Sequence, residues 1–237
     1  MALDKKEGVS RRRMIQGTAV AAAAAVAGPL AGGSASAVPR RVRVAAGAKT
    51  YTNAEFYGAD GKFQVEKAKA AYFEMMERFS YPIGDKLRKE MWVLDFGLSD
   101  FVHVGMAGIF WLNRKDYKYF GHDIYLLPGQ MIAEHSHVAT ADGPAKMESW
   151  HTRYGLIYTF GEGEETKPLP IKLSENQDKF RTVKKCEALA LGEVRDLGRL
   201  TANHFMIAGP EGAIVTEYAT YHDMAGLRFS NPKVKLS

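Results

Sequence analysis

Two hydrophobic periodicities follow one another along the chain. Over 62–79, Val65, Ala68, Tyr72, Met75, Met76 and Phe79 recur at helical spacing among Lys and Glu, which predicts one amphipathic helix with that stripe turned towards a core. Ser80-Tyr81-Pro82 ends it, because the residue before a proline is pushed out of the helical region. Beyond Lys89 the pattern becomes that of strands. Segments 91–96, 101–111, 117–127, 155–160, 184–191, 203–208 and 213–219 are rich in β-branched and aromatic residues, with Gly, Asp and Asn between them. Many short strands separated by turn signals predict an all-β fold with minor helix, an antiparallel sandwich or barrel. The polar stretch 161–182 is expected to be a surface insertion.

The first 37 residues obey a different pattern. Residues 1–17 carry Lys5, Lys6, Arg11, Arg12 and Arg13 against Asp4 and Glu7, and 18–31 form an alanine-rich apolar stretch interrupted by Gly28 and Pro29. That stretch is too short to span a hydrocarbon core of roughly 30 Å, but it has the length of a signal-peptide core. Ala35-Ser36-Ala37 offers the small residues of a cleavage site, and Ser10-Arg11-Arg12-Arg13-Met14-Ile15-Gln16 is similar to a twin-arginine (Tat) export signal. The expected organisation is a signal peptide over 1–37, a linker or extended arm over 38–59, and a single domain over 60–237. Partners would then include the Tat machinery, with periplasmic or secreted delivery and no stable membrane insertion after cleavage; a homodimer is compatible with the sequence.

Removing the signal lowers the formal charge from +5 to +2, so the basic balance lies mostly in the leader and a nucleic-acid partner loses its support. Tat carries folded proteins, which suits a chain that takes up a metal before export. It also agrees with a single cysteine, Cys186, which permits no internal disulfide and reads as an inert thiol.

The candidate chemistry begins at Glu134-His135-Ser136-His137. Histidines at i and i+2 of a strand point to one face, so both imidazoles can reach one ion if neighbouring strands add donors. Glu148 lies far enough downstream for the chain to turn back, and His204 sits in a later strand-like run. Together His135, His137, Glu148 and His204 make a three-nitrogen, one-oxygen set for a divalent metal, with Mn2+ the first choice and Fe2+, Ni2+ and Zn2+ as alternatives. Glu217, on the apolar run Ile214-Val215-Thr216-Glu217-Tyr218, must be paired, metal-linked or proton-active if it faces inward. His103, His122 and His151 read as structural, and His222 with Asp223 either lines the barrel mouth or forms a turn.

The spacing Gly129-x5-His135-x-His137, followed by Glu148-x6-Gly155, resembles the first motif of the cupin superfamily, with a longer loop before the glutamate. Within cupins the residues resemble the D-lyxose isomerase family. The matching blocks are His135-Ser136-His137, Lys146-Met147-Glu148, Thr152-Arg153-Tyr154-Gly155, His204-Phe205, Glu217-Tyr218-Ala219-Thr220 and the tail Tyr221-His222-Asp223 to Phe229-Ser230-Asn231-Pro232. The resemblance implies a cupin-type antiparallel β-barrel or jelly roll with an N-terminal helical segment. It also implies a metal-dependent aldose–ketose isomerase acting on a free sugar such as D-lyxose or D-mannose through a cis-enediol. Glu217 is then the expected catalytic base and Lys146 a catalytic partner for the enediolate, with Trp150 and Tyr221 as an apolar wall for the sugar. Two other classes use the same ligands: a cupin oxygenase with Fe2+, and a non-catalytic sugar- or metal-binding cupin.

Overall fold

The computed structural model describes residues 48–236; the signal over 1–37 and the first part of the arm lie outside the described residues. Short helix α1 (Val65–Arg78) and α2 (Asp85–Glu90) precede the strands β1 (Trp92–Leu94), β2 (Met106–Arg114), β3 (Tyr119–Leu126), β4 (His135–His137) and β5 (Glu148–Gly161). Then come a one-turn helix, α3 (Glu175–Asp178), and the strands β6 (Lys185–Ala190), β7 (Val194–Asp196), β8 (Phe205–Ala219) and β9 (Leu227–Phe229). All strand pairs are antiparallel; the large sheet runs β1-β2-β3-β8-β5-β6 with β7 also on β5, while β4 and β9 form a small second sheet. Antiparallel bridges from Met131 to Ile207 and from His135 to His204 join the two sides. This is the all-β, cupin-type barrel with an N-terminal helix that the strand pattern and motif resemblance lead one to expect.

The large sheet is apolar on both faces, and the alternation of side chains decides which residues go where. Ala107, Ile109, Tyr125 and Ile214 point outward into a cluster with Ala68, Ala71, Tyr72, Met75 and Met76 of α1. Their neighbours Met106, Ile124, Leu126, Ala213 and Val215 point into the barrel. The helical stripe is therefore core, as its spacing predicts. Val65, expected on that stripe, stands on the first turn and is 40% exposed. The Tyr72 hydroxyl donates to Gln130 Oε1 at 2.6 Å, and Gln130 Nε2 donates to the Phe101 carbonyl at 2.6 Å. This satisfies the polar atoms that the helix–sheet contact buries.

Several strands differ from their sequence-based limits. The expected segments 203–208 and 213–219 are one strand, β8, and 155–160 is only the second half of β5. The two long strands change register between Thr152 and Tyr154 and again between Gly155 and Ile157, bulges that let them bend. Gly155 (φ +72°) meets Gly212 (φ +84°) at this bend. The insertion 161–182 is more than a surface loop: Leu169, Ile171 and Leu173 pack on a cluster built from Tyr158, Phe160, Val183, Phe205 and Ile207. Within the stretch read as an arm, Phe56 is buried and stacks edge-on to Phe101 at 4.8 Å.

A Cβ on Gly155 would lie 2.1 Å from the Gly212 carbonyl oxygen, in a backbone region that already disfavours side chains. Gly155→Ala is expected to lower the unfolding free energy by at least about 2 kcal/mol in urea denaturation. Gly143→Ala, which meets nothing within 4 Å, should stay within about 0.5 kcal/mol of the parent. Equal stability of the two variants would refute this account of the bend.

Candidate metal centre and acid–base pair

The barrel interior brings together His135, His137, Glu148 and His204, with one potential ligand atom from each lying within 4.8 Å of all the others. Topology accounts for the convergence. His135 and His137 alternate onto one face of β4, and His135 exchanges both backbone hydrogen bonds with His204, at 3.0 and 2.9 Å. Glu148 opens β5 opposite Ala219 of β8. The residues 139–145 fold into a small turn, bridged between Thr140 and Gly143, which takes up the long gap before the glutamate.

These four residues suit a divalent ion. His135 Nδ1 and His204 Nδ1 each lie 2.9 Å from a backbone carbonyl, of Ala133 and Ala202. Each Nδ1–H can donate there, which fixes the tautomer and leaves Nε2 as a lone-pair donor. His204 Nε2, both nitrogens of His137 and both oxygens of Glu148 are buried without an aligned hydrogen bond. Glu148 Oε1 is 2.5 Å from His204 Nε2, and Oε2 is 3.6 Å from His137 Nε2. So many unspent buried donor and acceptor atoms are costly unless a cation gathers them. Burial, reinforced by the neighbouring His204, pushes the His135 imidazole down to about 3, and burial likewise lowers His137. His204 is shifted the other way: burial lowers it, but the Glu148 carboxylate beside it outweighs that and raises it. Neutral imidazole is the form that binds a metal, so an ion taken up there would displace the His204 proton. Burial opposes the charge on Glu148, yet Lys146 and His204 hold its carboxyl well below the usual range.

Lys146 and Glu217 adjoin the cluster. Glu217 faces Trp150 across β8 and β5 and His122 across β8 and β3, so it points inward, diagonally next to Glu148. The Lys146 ammonium donates to Glu217 Oε1 and lies 2.6 Å from Glu148 Oε2. Burial raises the Glu217 carboxyl to about 7; Lys146 opposes the rise and the Glu148 charge adds to it. Burial disfavours the ammonium, but the two carboxylates outweigh it and Lys146 is raised.

A cavity of about 420 Å³ opens beside these groups. Its walls include Trp92, Phe110 and Phe229 together with His122, His222 and Lys146. The expected wall residues are placed differently. Trp150 packs behind the cluster, its ring 5.2 Å from that of His204, and Tyr221 is not among the lining residues. His122, read as structural, lines the cavity instead, with Nδ1 3.9 Å from Glu217 Oε2. Strand alternation carried that signal, because His122 shares an inward face with Ile124 and Leu126. His222 lines the mouth, while Asp223 makes the turn, capping Ala225 N at 2.9 Å and accepting from Thr140 Oγ1 at 2.6 Å. Glu134 went unnoticed as a support: it accepts from Thr182 N, Val183 N and Ser230 Oγ, tying the insertion and the tail to the residue before His135. Cys186 is buried and its thiol is pushed up to about 12 by burial, consistent with an inert role.

Fold and cluster together define a cupin-type barrel with a buried three-histidine, one-glutamate centre. No family model matches the chain. Among curated proteins it is 29% identical over 174 residues to the D-lyxose/D-mannose isomerase of Thermosediminibacter oceani, covering 73% of this chain and 94% of that one. It is 27% identical over 171 residues to the D-lyxose ketol-isomerase of a Thermofilum species, covering 72% and 93%. Solved structures that share the fold include L-ribose isomerase of Cellulomonas parahominis with L-psicose (TM-score 0.54, 15% identity, 70% of this chain and 90% of that one). L-ribose isomerase of Acinetobacter sp. DL28 with L-ribose is similar to the same degree (TM-score 0.52, 15% identity, 72% and 90%). The likeness to the curated isomerases supports reading the chain as a sugar isomerase, and the solved structures show the shared fold.

If the cluster is a metal centre, chelator-treated protein should bind Mn2+ or Zn2+ in a calorimetric titration. Glu148→Gln and His204→Ala should each lose more than the roughly 10- to 100-fold that removal of an outer-shell partner costs. Parent-like affinity in both variants would remove these residues from the ligand set.

Proposed function

We propose that this chain is a metal-dependent aldose–ketose isomerase that acts on a free sugar, such as D-lyxose or D-mannose, through a cis-enediol. The observation that carries the reading is Glu217: a buried, inward carboxylate held near neutrality, hydrogen-bonded to Lys146 and set beside the four-ligand cluster. The similarity to D-lyxose isomerases supports the substrate class. We propose, from the likeness of 1–37 to a twin-arginine signal, that this activity is exported from the cytoplasm.

His135, His137, Glu148 and His204 would hold the ion, which supplies Lewis-acid polarisation of the sugar's carbonyl and neighbouring hydroxyl. Glu217 in its ionised form takes the proton from carbon 2, exchanges it with solvent, and delivers a proton to carbon 1. A base whose pKa lies near the working pH is available in both states of that cycle. Lys146 remains an ammonium between two carboxylates, so it can donate a proton to oxygen 1 as charge develops there and recover one from the hydroxyl on carbon 2, which becomes the ketose carbonyl. Burial of these groups strengthens the contacts between them.

Glu217→Gln keeps the shape but cannot take a proton. We expect kcat for ketose formation from D-mannose or D-lyxose to fall by about 10²- to 10⁴-fold, with metal content unchanged. Activity within a few-fold of the parent would remove Glu217 from the mechanism. Because the active form of Glu217 is the carboxylate, kcat/KM should rise with pH through about 7 and then level off. A flat profile from roughly pH 5.5 to 8.5 would contradict a base of this kind.

A further inference from the structure

The cavity is polar at one end only, and this bears on which sugar it takes. Inward positions on neighbouring strands form rows. The first holds Phe110, His122 and Glu217; two residues along, Trp92 faces Gly108 and Ile124 faces Val215; the next pairs Leu94 with Met106. Rows two residues apart lie roughly 7 Å from one another. From the opposite wall, Phe229 pairs with His135 and its ring lies 6.0 Å from that of Phe96. A sugar whose carbons 1 and 2 sit at Lys146 and Glu217 extends about 5 Å further to its last carbon, over four bonds of about 1.5 Å. Its far end therefore meets Ile124, Ile132, Phe96 and Phe229, which carry no side-chain hydrogen-bonding atom.

The near and middle parts are served differently. Trp92 Nε1, His122 Nε2 and His222 Nδ1 are all buried without a hydrogen-bond partner, and all three residues line this cavity. His122 and His222 are 5% and 8% exposed. Unspent polar atoms at this depth are rare in native proteins. Those of Trp92 and His122, whose rings lie 5.3 Å apart, match the hydroxyls on the middle carbons of an aldose, while His222 stacks on Phe120 at the mouth. Beyond them, a terminal hydroxyl would be buried against hydrocarbon.

We infer that the preferred substrate is a terminal-deoxy aldose, with hydroxyls along its middle carbons and a methyl group at the end remote from the carbonyl. The assignment rests on the isomerase reading for which end of the sugar reacts. His122 and Trp92 read the middle hydroxyls, and the row of Ile124 receives the methyl group.

The test uses parent protein loaded with Mn2+ and two polyols that cannot isomerise, 6-deoxy-D-mannitol and D-mannitol, titrated by calorimetry. The deoxy compound is expected to bind about 10- to 100-fold more tightly, the range by which an apolar pocket discriminates against an added hydroxyl. Ile124→Thr, which places a hydroxyl in the second row, should narrow that ratio. Equal or weaker binding of the deoxy compound by the parent protein, or no binding of either, would overturn the inference. Ketose formation from 6-deoxy-D-mannose and D-mannose is measured in parallel. Turnover with D-mannose equal or preferred would overturn the deoxy assignment and leave isomerisation standing. A retained polyol preference with no turnover of either aldose would do the reverse.

Discussion

Glu148 sets the terms for the rest of the molecule. A carboxylate that is 1% exposed is held in its charged form only by the cations and imidazoles around it, because burial alone would protonate it. Lys146 answers that charge from one side and His204 from the other, and what remains unspent on His137, His204 and Glu148 is a donor set that could hold a metal ion. The same arrangement fixes Glu217. Lys146 sits between two carboxylates, and the one that is not in the cluster is left near neutrality. One buried charge thus sets two glutamates apart, which is what the proposed roles of ligand and proton carrier require.

The barrel is built to hold that charge still. Antiparallel strands bring residues far apart in sequence into register, Glu148 beside Ala219 and Trp150 beside Glu217, and the pleat aims them inward. Because the sheet is covered on its outer face by α1, its strands are buried on both sides and do not slip. The bend at Gly155 and Gly212 lets β5 and β8 serve both ends of the barrel. Glu134 then fastens the insertion and the tail beside the histidine pair.

Much of this was legible in the chain. The helix showed in its stripe, the strands in their composition, and the candidate metal ligands in the His-x-His spacing together with a glutamate and a later histidine; the structure brings all four of those residues together. Glu217 stood out as a carboxylate on an apolar strand and Lys146 through the family resemblance, and their mutual contact is a fact of three dimensions. The misses have a common cause. Register decides which inward residues face one another, and the sequence gives alternation without register. His122 was therefore read as structural although it lies across from Glu217, and Trp150 was expected in a cavity that it backs from behind. β9 escaped notice because three residues paired with β4 carry too little pattern to register as a strand.

The central claim is that buried acid–base chemistry at Glu217 moves a proton between adjacent sugar carbons. Proton NMR of the Mn2+-loaded protein with D-mannose or D-lyxose in D2O tests it most directly. The account predicts ketose formation, with solvent deuterium entering at carbon 1 of the ketose and carbon 2 of the recovered aldose, because a carboxyl group exchanges its proton with solvent between removal and return. Ketose formation without deuterium entry, or no ketose from either sugar with the ion confirmed in place, would contradict it.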